Sequence, residues 1–410
     1  MLNNRLLKHS LLAILIGYFF SVIFLFGHEY WRNYSNRNGN VLANGRLLGG
    51  DFLCFYVAGK MFNEERENLY NLKRQFEIQK TYIPTPEALP GVLPFVYPPF
   101  VAAFFSVFSR LDFAEAYGYW TLCSIIFFAT GLFVLIETFN PSPIRRLYLY
   151  LFIGSFVPFI VNCLGGGQTS TFGFLLVALF LHFIKNQKFA FAGIALGCGV
   201  YKFPLFIVLG LCLLILGKLK VVLNAFLSSS LIMILSMSLI GRKMGIDYLS
   251  VLSNYRYGGK IVNDIEMPIN QGVGYFSFIS SIFKNQLSIA YMVLLISILV
   301  VLVCCKYFQK IQRVNRKCDD IYLLSVCVSL SLFFSLQMIN YDLTILLAPL
   351  IAIISKCNSR DFLTLVATTL PLHFEWLIRE AGYSVSVSSY APALFFVWVS
   401  GLVLVLINDN

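Results

Sequence analysis

Charged residues are scarce in this chain of 410 residues, with Asp, Glu, Lys and Arg together making up 12%, against about 25% in an ordinary soluble domain. A chain that is 58% hydrophobic cannot hide its apolar side chains in one soluble core. Its mean hydropathy of +0.76 implies that most of it meets lipid. Histidine is equally sparse. The residues His9, His28, His182 and His373 fall on opposite sides of the expected membrane, which excludes a histidine-based metal site. The ten cysteines form no CxxC pair and fall mostly inside apolar runs, where a thiol acts as a small apolar filler. The pair Cys304-Cys305, near an expected cytoplasmic end, is a weak acylation signal. No Walker, GxGxxG or HExxH motif and no Ser-His-Asp set stands in a suitable context, so nucleotide chemistry has no seat. Long unbroken apolar runs, without polar alternation, exclude a transmembrane β-barrel. The excess of 31 Lys and Arg over 20 Asp and Glu does not point to nucleic acid here, because positive charge in such chains marks cytoplasmic loops.

What is present is a series of apolar segments. A crossing helix needs roughly 20 apolar residues. Spans are expected near 11–27, 117–139, 147–163, 170–184, 189–201, 203–217, 221–240, 286–305, 320–338, 342–355, 361–374 and 388–407. Residues 93–108 are also apolar, but they are short and opened by Pro98 and Pro99. Treating that stretch as a juxtamembrane helix places Arg145-Arg146, Lys185/Lys188 and Lys218/Lys220 on one side, as the positive-inside rule demands. The expected molecule is therefore a single all-α polytopic domain over 1–410 with about 12 transmembrane helices. Both termini are cytoplasmic. Two large extracytoplasmic loops follow, 28–116 with amphipathic juxtamembrane helices, and 241–285.

Chemistry must then sit in these loops and in the short outer turns. The first loop holds Gly49-Gly50-Asp51-Phe52-Leu53-Cys54-Phe55-Tyr56, a carboxylate in an apolar and aromatic setting. A desolvated Asp can act as a base toward a hydroxyl. The competing reading makes Asp51 the N-cap of the helix that follows. Tyr97-Pro98-Pro99 opens the surface stretch, and Gly165-Gly166-Gly167-Gln168 links two spans. Lys202, in Tyr201-Lys202-Phe203-Pro204, is a lone charge between two short apolar segments, and intramembrane charges default to functional hypotheses. Arg256 and Lys260 stand in a basic and aromatic stretch of the second loop, which is equally a solvated interface. Asn270-Gln271 ends that loop, and Asn340-Tyr341-Asp342 caps a later turn. The topology sends all of these to one face.

Taken in order, Asp51-Phe52, Tyr97-Pro98-Pro99, Gly167-Gln168 and Lys202-Phe203-Pro204, with echoes at Asn270-Gln271 and Asn340-Tyr341-Asp342, resemble glycosyltransferase family 87. These are polyprenyl-phosphate-sugar-dependent enzymes of the GT-C fold class that include bacterial mannosyltransferases. The resemblance implies an active site at the extracytoplasmic face of the bacterial inner membrane. It implies inverting transfer of a hexose, mannose-like, from a polyprenyl-phosphate sugar to a glycolipid or glycan acceptor. A loop-one Asp sits at the catalytic centre of such enzymes, and that role falls to Asp51. Relatives often carry histidine near the turn matching Asn340-Tyr341-Asp342, and this chain has none, so either Asp51 is the sole base, Asp342 helps, or the enzyme is altered or inactive. Lys202, Arg256 and Lys260 are the expected ligands of the donor phosphate. Tyr56, Tyr97, Gln168, Asn270, Gln271 and Tyr341 are the expected substrate contacts. No cofactor or metal is implied, because the lipid-linked sugar is itself the substrate. The expected partners are that donor, the acceptor and membrane lipid, with no nucleic acid. The alternative is a polytopic transporter or lipid flippase without glycosyl transfer. Against it, no internal repeat is visible and the polar residues collect at one face instead of at the midplane.

Overall fold

The computed structural model describes residues 4–84, 89, 91–254, 260–261, 265–266, 272–283, 286–315, 320–356, 369 and 387–408. Its architecture is helical, apart from one antiparallel pair of two-residue strands, β1 (Lys260–Ile261) and β2 (Ile265–Glu266). The chain opens with α1 (Asn4–Ser35) and passes through a loop carrying α2 (Phe52–Glu64), α3 (Leu72–Thr81) and α4 (Pro99–Phe105). The bundle then runs α5 (Phe113–Phe139), α6 (Pro143–Gly154), α7 (Ser170–Lys185), α8 (Phe189–Cys198), α9 (Ile207–Ile215) and α10 (Leu219–Asn254). It closes with α11 (Tyr275–Phe283), α12 (Leu287–Asn315), α13 (Asp320–Phe333), α14 (Leu347–Lys356) and α15 (Val387–Asn408).

Among the described residues, four helical stretches are long and apolar enough to cross a membrane: Leu12–Ser35, Phe113–Phe139, Leu219–Ser238 and Leu287–Lys310. A fifth exists if α6 and the π-helical segment Pro158–Gly165, bent by 49° at their junction, count as one. The bend has a local cause, since Pro158 cannot donate the amide that would continue the α6 ladder. The expectation of about twelve full crossings is thus not reproduced. The expected spans at 189–201 and 203–217 become α8 and α9, of 10 and 9 residues. Each reaches about 15 Å at 1.5 Å per residue, half the hydrocarbon thickness. The expected span 361–374 lies outside the described residues except Thr369.

The first loop departs from expectation in a useful way. Instead of lying as an amphipathic surface helix, α2 is buried from Phe52 through Gly59. It packs under α4, whose Phe105 carbonyl lies so close to Gly59 that a Cβ there would collide with it. Phe55 and Phe105 stack with centroids 4.8 Å apart, and Trp120 of α5 meets Phe105 edge-on at 4.8 Å. The expected helix over 93–108 is helical only over α4 and the short 3-10 turn Phe108–Arg110. Residues upstream are held in non-helical form by two glutamines of α3. Gln79 accepts from the Leu93 amide (2.9 Å) and donates to its carbonyl (2.7 Å), while Gln75 accepts from the Phe95 amide (2.9 Å). These bonds satisfy backbone groups that burial would otherwise orphan. The effect is to hold the loop beside the N-terminal ends of α5 and α7, where Asp51 sits.

Candidate active site

Two glycine-rich turns from distant parts of the chain interlock at the floor of the first loop. Gly49 and Gly50 adopt left-handed backbone (φ 70° and 49°), as does Gly167 (φ 63°). A Cβ on Gly50 would stand 3.2 Å from the Gly166 Cα, and one on Gly167 would stand 2.5 Å from the Phe52 Cβ. Both turns thus use glycine for φ and for close backbone approach. From α5, the Tyr117 hydroxyl donates to the Leu164 carbonyl (2.7 Å) and Trp120 Nε1 donates to the Gly167 carbonyl (2.8 Å).

This interlock sets Gln168 against Asp51. The Gln168 side-chain amide donates to Asp51 Oδ2, so the carboxylate faces the turn that precedes α7 and not its own helix. Asp51 does occupy the N-cap position of α2, yet its side chain makes no capping bond. Withdrawal from water pushes the Asp51 carboxyl above its ordinary range, opposed by the Gln168 hydrogen bond and by the positive charge of Lys202. Lys202 is therefore close enough to be felt electrostatically by Asp51.

Lys202 and Asp342 are paired with each other. The ammonium donates to Asp342 Oδ1 (2.6 Å) and Oδ2 (2.8 Å), with the two side chains 7% and 0% exposed. The carboxylate also accepts from Ser170 Oγ (2.7 Å) and from the Ile339 amide (3.2 Å). Its lone pairs are saturated, so it is not placed to take a proton from a substrate. Lys202 in turn spends two of its three N–H donors on Asp342, and its charge is balanced. Its backbone leaves helical geometry (φ −140°, ψ 54°) to make the pair, and its Nζ sits 4.3 Å from the Tyr341 ring centroid.

Other bonds join these turns. Tyr201 donates to the Thr169 carbonyl (3.3 Å), and Cys163 Sγ lies 3.3 Å from Thr344 Oγ1. The strip 163–170 is thus the shared wall, carrying Gln168 toward Asp51 and Ser170 toward Asp342. The side-chain oxygens of Gln168 (Oε1) and Thr169 (Oγ1) are buried in this wall without a hydrogen-bond partner.

The remaining expectations divide. Tyr341 joins the cluster through Lys202. Tyr56 does not, because its ring is buried beside Phe113 and Tyr82 and its hydroxyl donates to the Leu111 carbonyl (2.7 Å). Tyr97 lies 5.0 Å from Phe55 and 5.7 Å from Phe95 between ring centroids, as part of the loop's aromatic core. Lys260 lies in β1 opposite Glu266; its side chain lies outside the described residues, as do Arg256, Asn270 and Gln271. Ser170, Tyr117 and Trp120 were not singled out from the sequence. Ser170 carried a faint signal, standing two places after Gln168 in a turn already marked. Among the described residues, no trio of His, Cys, Asp or Glu ligand atoms converges at this site.

A sequence model of glycosyltransferase family 87 matches residues 95–335. No curated relative matches the sequence. The matched stretch holds Tyr97, Gln168 and Lys202, whereas Asp51 and Asp342 lie outside it and reach the site only through the fold. With more than half of its length matched, the chain belongs to glycosyltransferase family 87 and is a glycosyltransferase.

Proposed function

We propose that this family 87 glycosyltransferase moves a hexose, mannose-like, from a polyprenyl-phosphate sugar to a lipid-linked or glycan acceptor, with inversion and with Asp51 as the base. The observation that carries the reading is the Gln168–Asp51 bond, which presents a partly desolvated carboxylate beside the charge of Lys202. In the proposed step the acceptor oxygen forms a bond to the anomeric carbon as the bond from that carbon to the phosphate oxygen breaks. The polyprenyl phosphate leaves with the electron pair, and the acceptor proton passes to Asp51. Gln168 holds one carboxylate oxygen and orients the other toward the acceptor hydroxyl. Burial that raises the proton affinity of Asp51 serves a general base, because it strengthens proton abstraction, and the Gln168 hydrogen bond and the charge of Lys202 oppose that shift.

The leaving phosphate needs hydrogen-bond donors and positive charge. The third N–H of Lys202 is one source, and Arg256 and Lys260 of the second large loop are the others. A lipid-linked donor suits the setting. Its tail takes a groove among apolar helices while its phosphate stays at headgroup level, where the first loop covers the bundle. The proposed location is the inner membrane, with both termini cytoplasmic and the reaction on the extracytoplasmic side. No separate cofactor enters the step.

The test is reconstitution in liposomes with a panel of radiolabelled polyprenyl-phosphate hexoses and a membrane glycolipid fraction. Wild type should transfer one hexose, and Asp51→Asn should lose transfer while still binding donor. Donor binding or translocation by wild type with no transfer to any acceptor would overturn the reading.

A further inference from the structure

The cysteines looked like scattered fillers in the sequence, but three of them converge. Cys212 of α9, Cys305 of α12 and Cys327 of α13 place their Sγ atoms within 4.8 Å of one another, all three buried and unoxidised. The Cys305 and Cys327 sulfurs are 4.0 Å apart. That spacing has a chemical meaning. Three thiolates around a soft cation at a metal–sulfur distance of about 2.3 Å stand about 4.0 Å apart when the site is planar. Thiol packing alone would not require three different helices to aim their sulfurs at one point.

We propose that Cys212, Cys305 and Cys327 form a three-thiol site for a thiophilic d10 cation, Zn(II) or Cu(I), separate from the glycosyl-transfer site. Thiolate ligands select these ions over hard ones. Each coordinating thiol releases its proton to water, so binding weakens as pH falls. Around the cluster the helix ends are already closed by polar side chains from α12. Lys306, next to Cys305, donates to the Ile215 carbonyl (2.8 Å), and Gln309 donates to the Leu216 carbonyl (2.9 Å). The end of α9 is therefore satisfied and faces a cation, which eases the burial of a site carrying net negative charge. Bound metal would pin α9, α12 and α13 together. The neighbouring Cys304 is exposed and takes no part.

The experiment uses the full-length protein in detergent with a non-thiol reductant. Cd(II), as the spectroscopic stand-in for Zn(II), and Cu(I) with a competing chelator are titrated separately. The expected result is saturation near one equivalent of one of these ions, a thiolate-to-metal absorption band, and a rise in Tm. A saturable Cd(II) band assigns a divalent site, and saturation by Cu(I) alone assigns a monovalent one. Cys212→Ser, Cys305→Ser and Cys327→Ser should each weaken binding at least tenfold, whereas Cys304→Ser should not. X-ray absorption on the loaded wild type needs no variant and should count three sulfur ligands. The proposal fails if neither ion saturates, if binding survives in the serine variants, or if fewer than three sulfurs surround the metal. Failure here leaves glycosyl transfer untouched, because no residue of this cluster belongs to that site.

Discussion

Two carboxylates are held by the strip of residues 163–170, Asp51 through Gln168 and Asp342 through Ser170, and their environments differ. Asp51 is partly open and has one side-chain partner, Gln168. Asp342 is closed off, with Lys202, Ser170 and the Ile339 amide filling its acceptor positions. A residue that must exchange a proton needs a vacant lone pair and access to substrate. A residue that must hold three segments together needs neither. From sequence the two acids look alike, each a lone Asp at the outer end of an apolar segment. The difference is what the proposed function builds on in taking Asp51, and not Asp342, as the base.

That comparison can be broken at either end. Asp51→Asn should reduce transfer by about 10²–10⁴-fold, the usual range for loss of a general base, measured as initial rate in liposomes. Its thermal stability should be unchanged or higher at neutral pH, because burial raises the Asp51 pKa and the folded state therefore carries a penalty for the ionised carboxylate. The sign follows from linkage: a raised folded pKa favours the folded protonated form, so wild-type stability falls as pH rises from the unfolded pKa through the folded one. Asp342→Ala should do the reverse and destabilise by about 3–5 kcal/mol, since it strands a buried lysine. Calorimetry or denaturant titration reads this. If Asp342→Ala folds with unchanged Tm and loses only turnover, the assignment of roles is wrong. Replacing both partners, Lys202→Met with Asp342→Leu, should restore part of the stability lost in the single variant.

The next effect sharpens the comparison through the wall itself. Gly167→Ala combines a left-handed backbone with a clash on Phe52 and should cost about 1–3 kcal/mol, as overpacking does. It should also lower transfer by moving Gln168 off Asp51. A profile of kcat/KM against pH should show an acid limb above the ordinary carboxylate value of 3.8, in the direction in which burial moves Asp51. Lys202→Met should shift that limb to higher pH, because the lysine charge favours the ionised form. An acid limb at an unperturbed position would deny Asp51 the role of base. The smallest effect tests Tyr56. Tyr56→Phe removes one hydrogen bond to Leu111 and should cost about 1 kcal/mol of stability, with KM unchanged.

Much of this was legible in the chain. Isolated polar residues are conspicuous in an apolar sequence, so Asp51, Gln168, Lys202 and Asp342 could be marked one by one. The tendency of α5, α7, α12 and α13 to form helices shows in their apolar runs. Crossing number was harder to read, because a buried helix of 9 residues such as α9 is as apolar as a lipid-facing one. Partnership was not legible at all. Gln168 meets Asp51 across 117 positions and Lys202 meets Asp342 across 140, with nothing in local pattern to pair them. The thiol cluster was hidden in the same way, since cysteines in apolar runs of separate helices carry no motif.

The sequence by itself determined a lipid-facing helical chain with a large first loop and a sparse set of polar residues, because hydrophobicity and its period act locally. Only the tertiary structure decided which polar residues are partners. Those partnerships depend on glycine turns from distant segments packing backbone to backbone, and on the penalty for leaving a buried charge alone. A carboxylate with a free lone pair and one without are the same residue until the chain has folded around them.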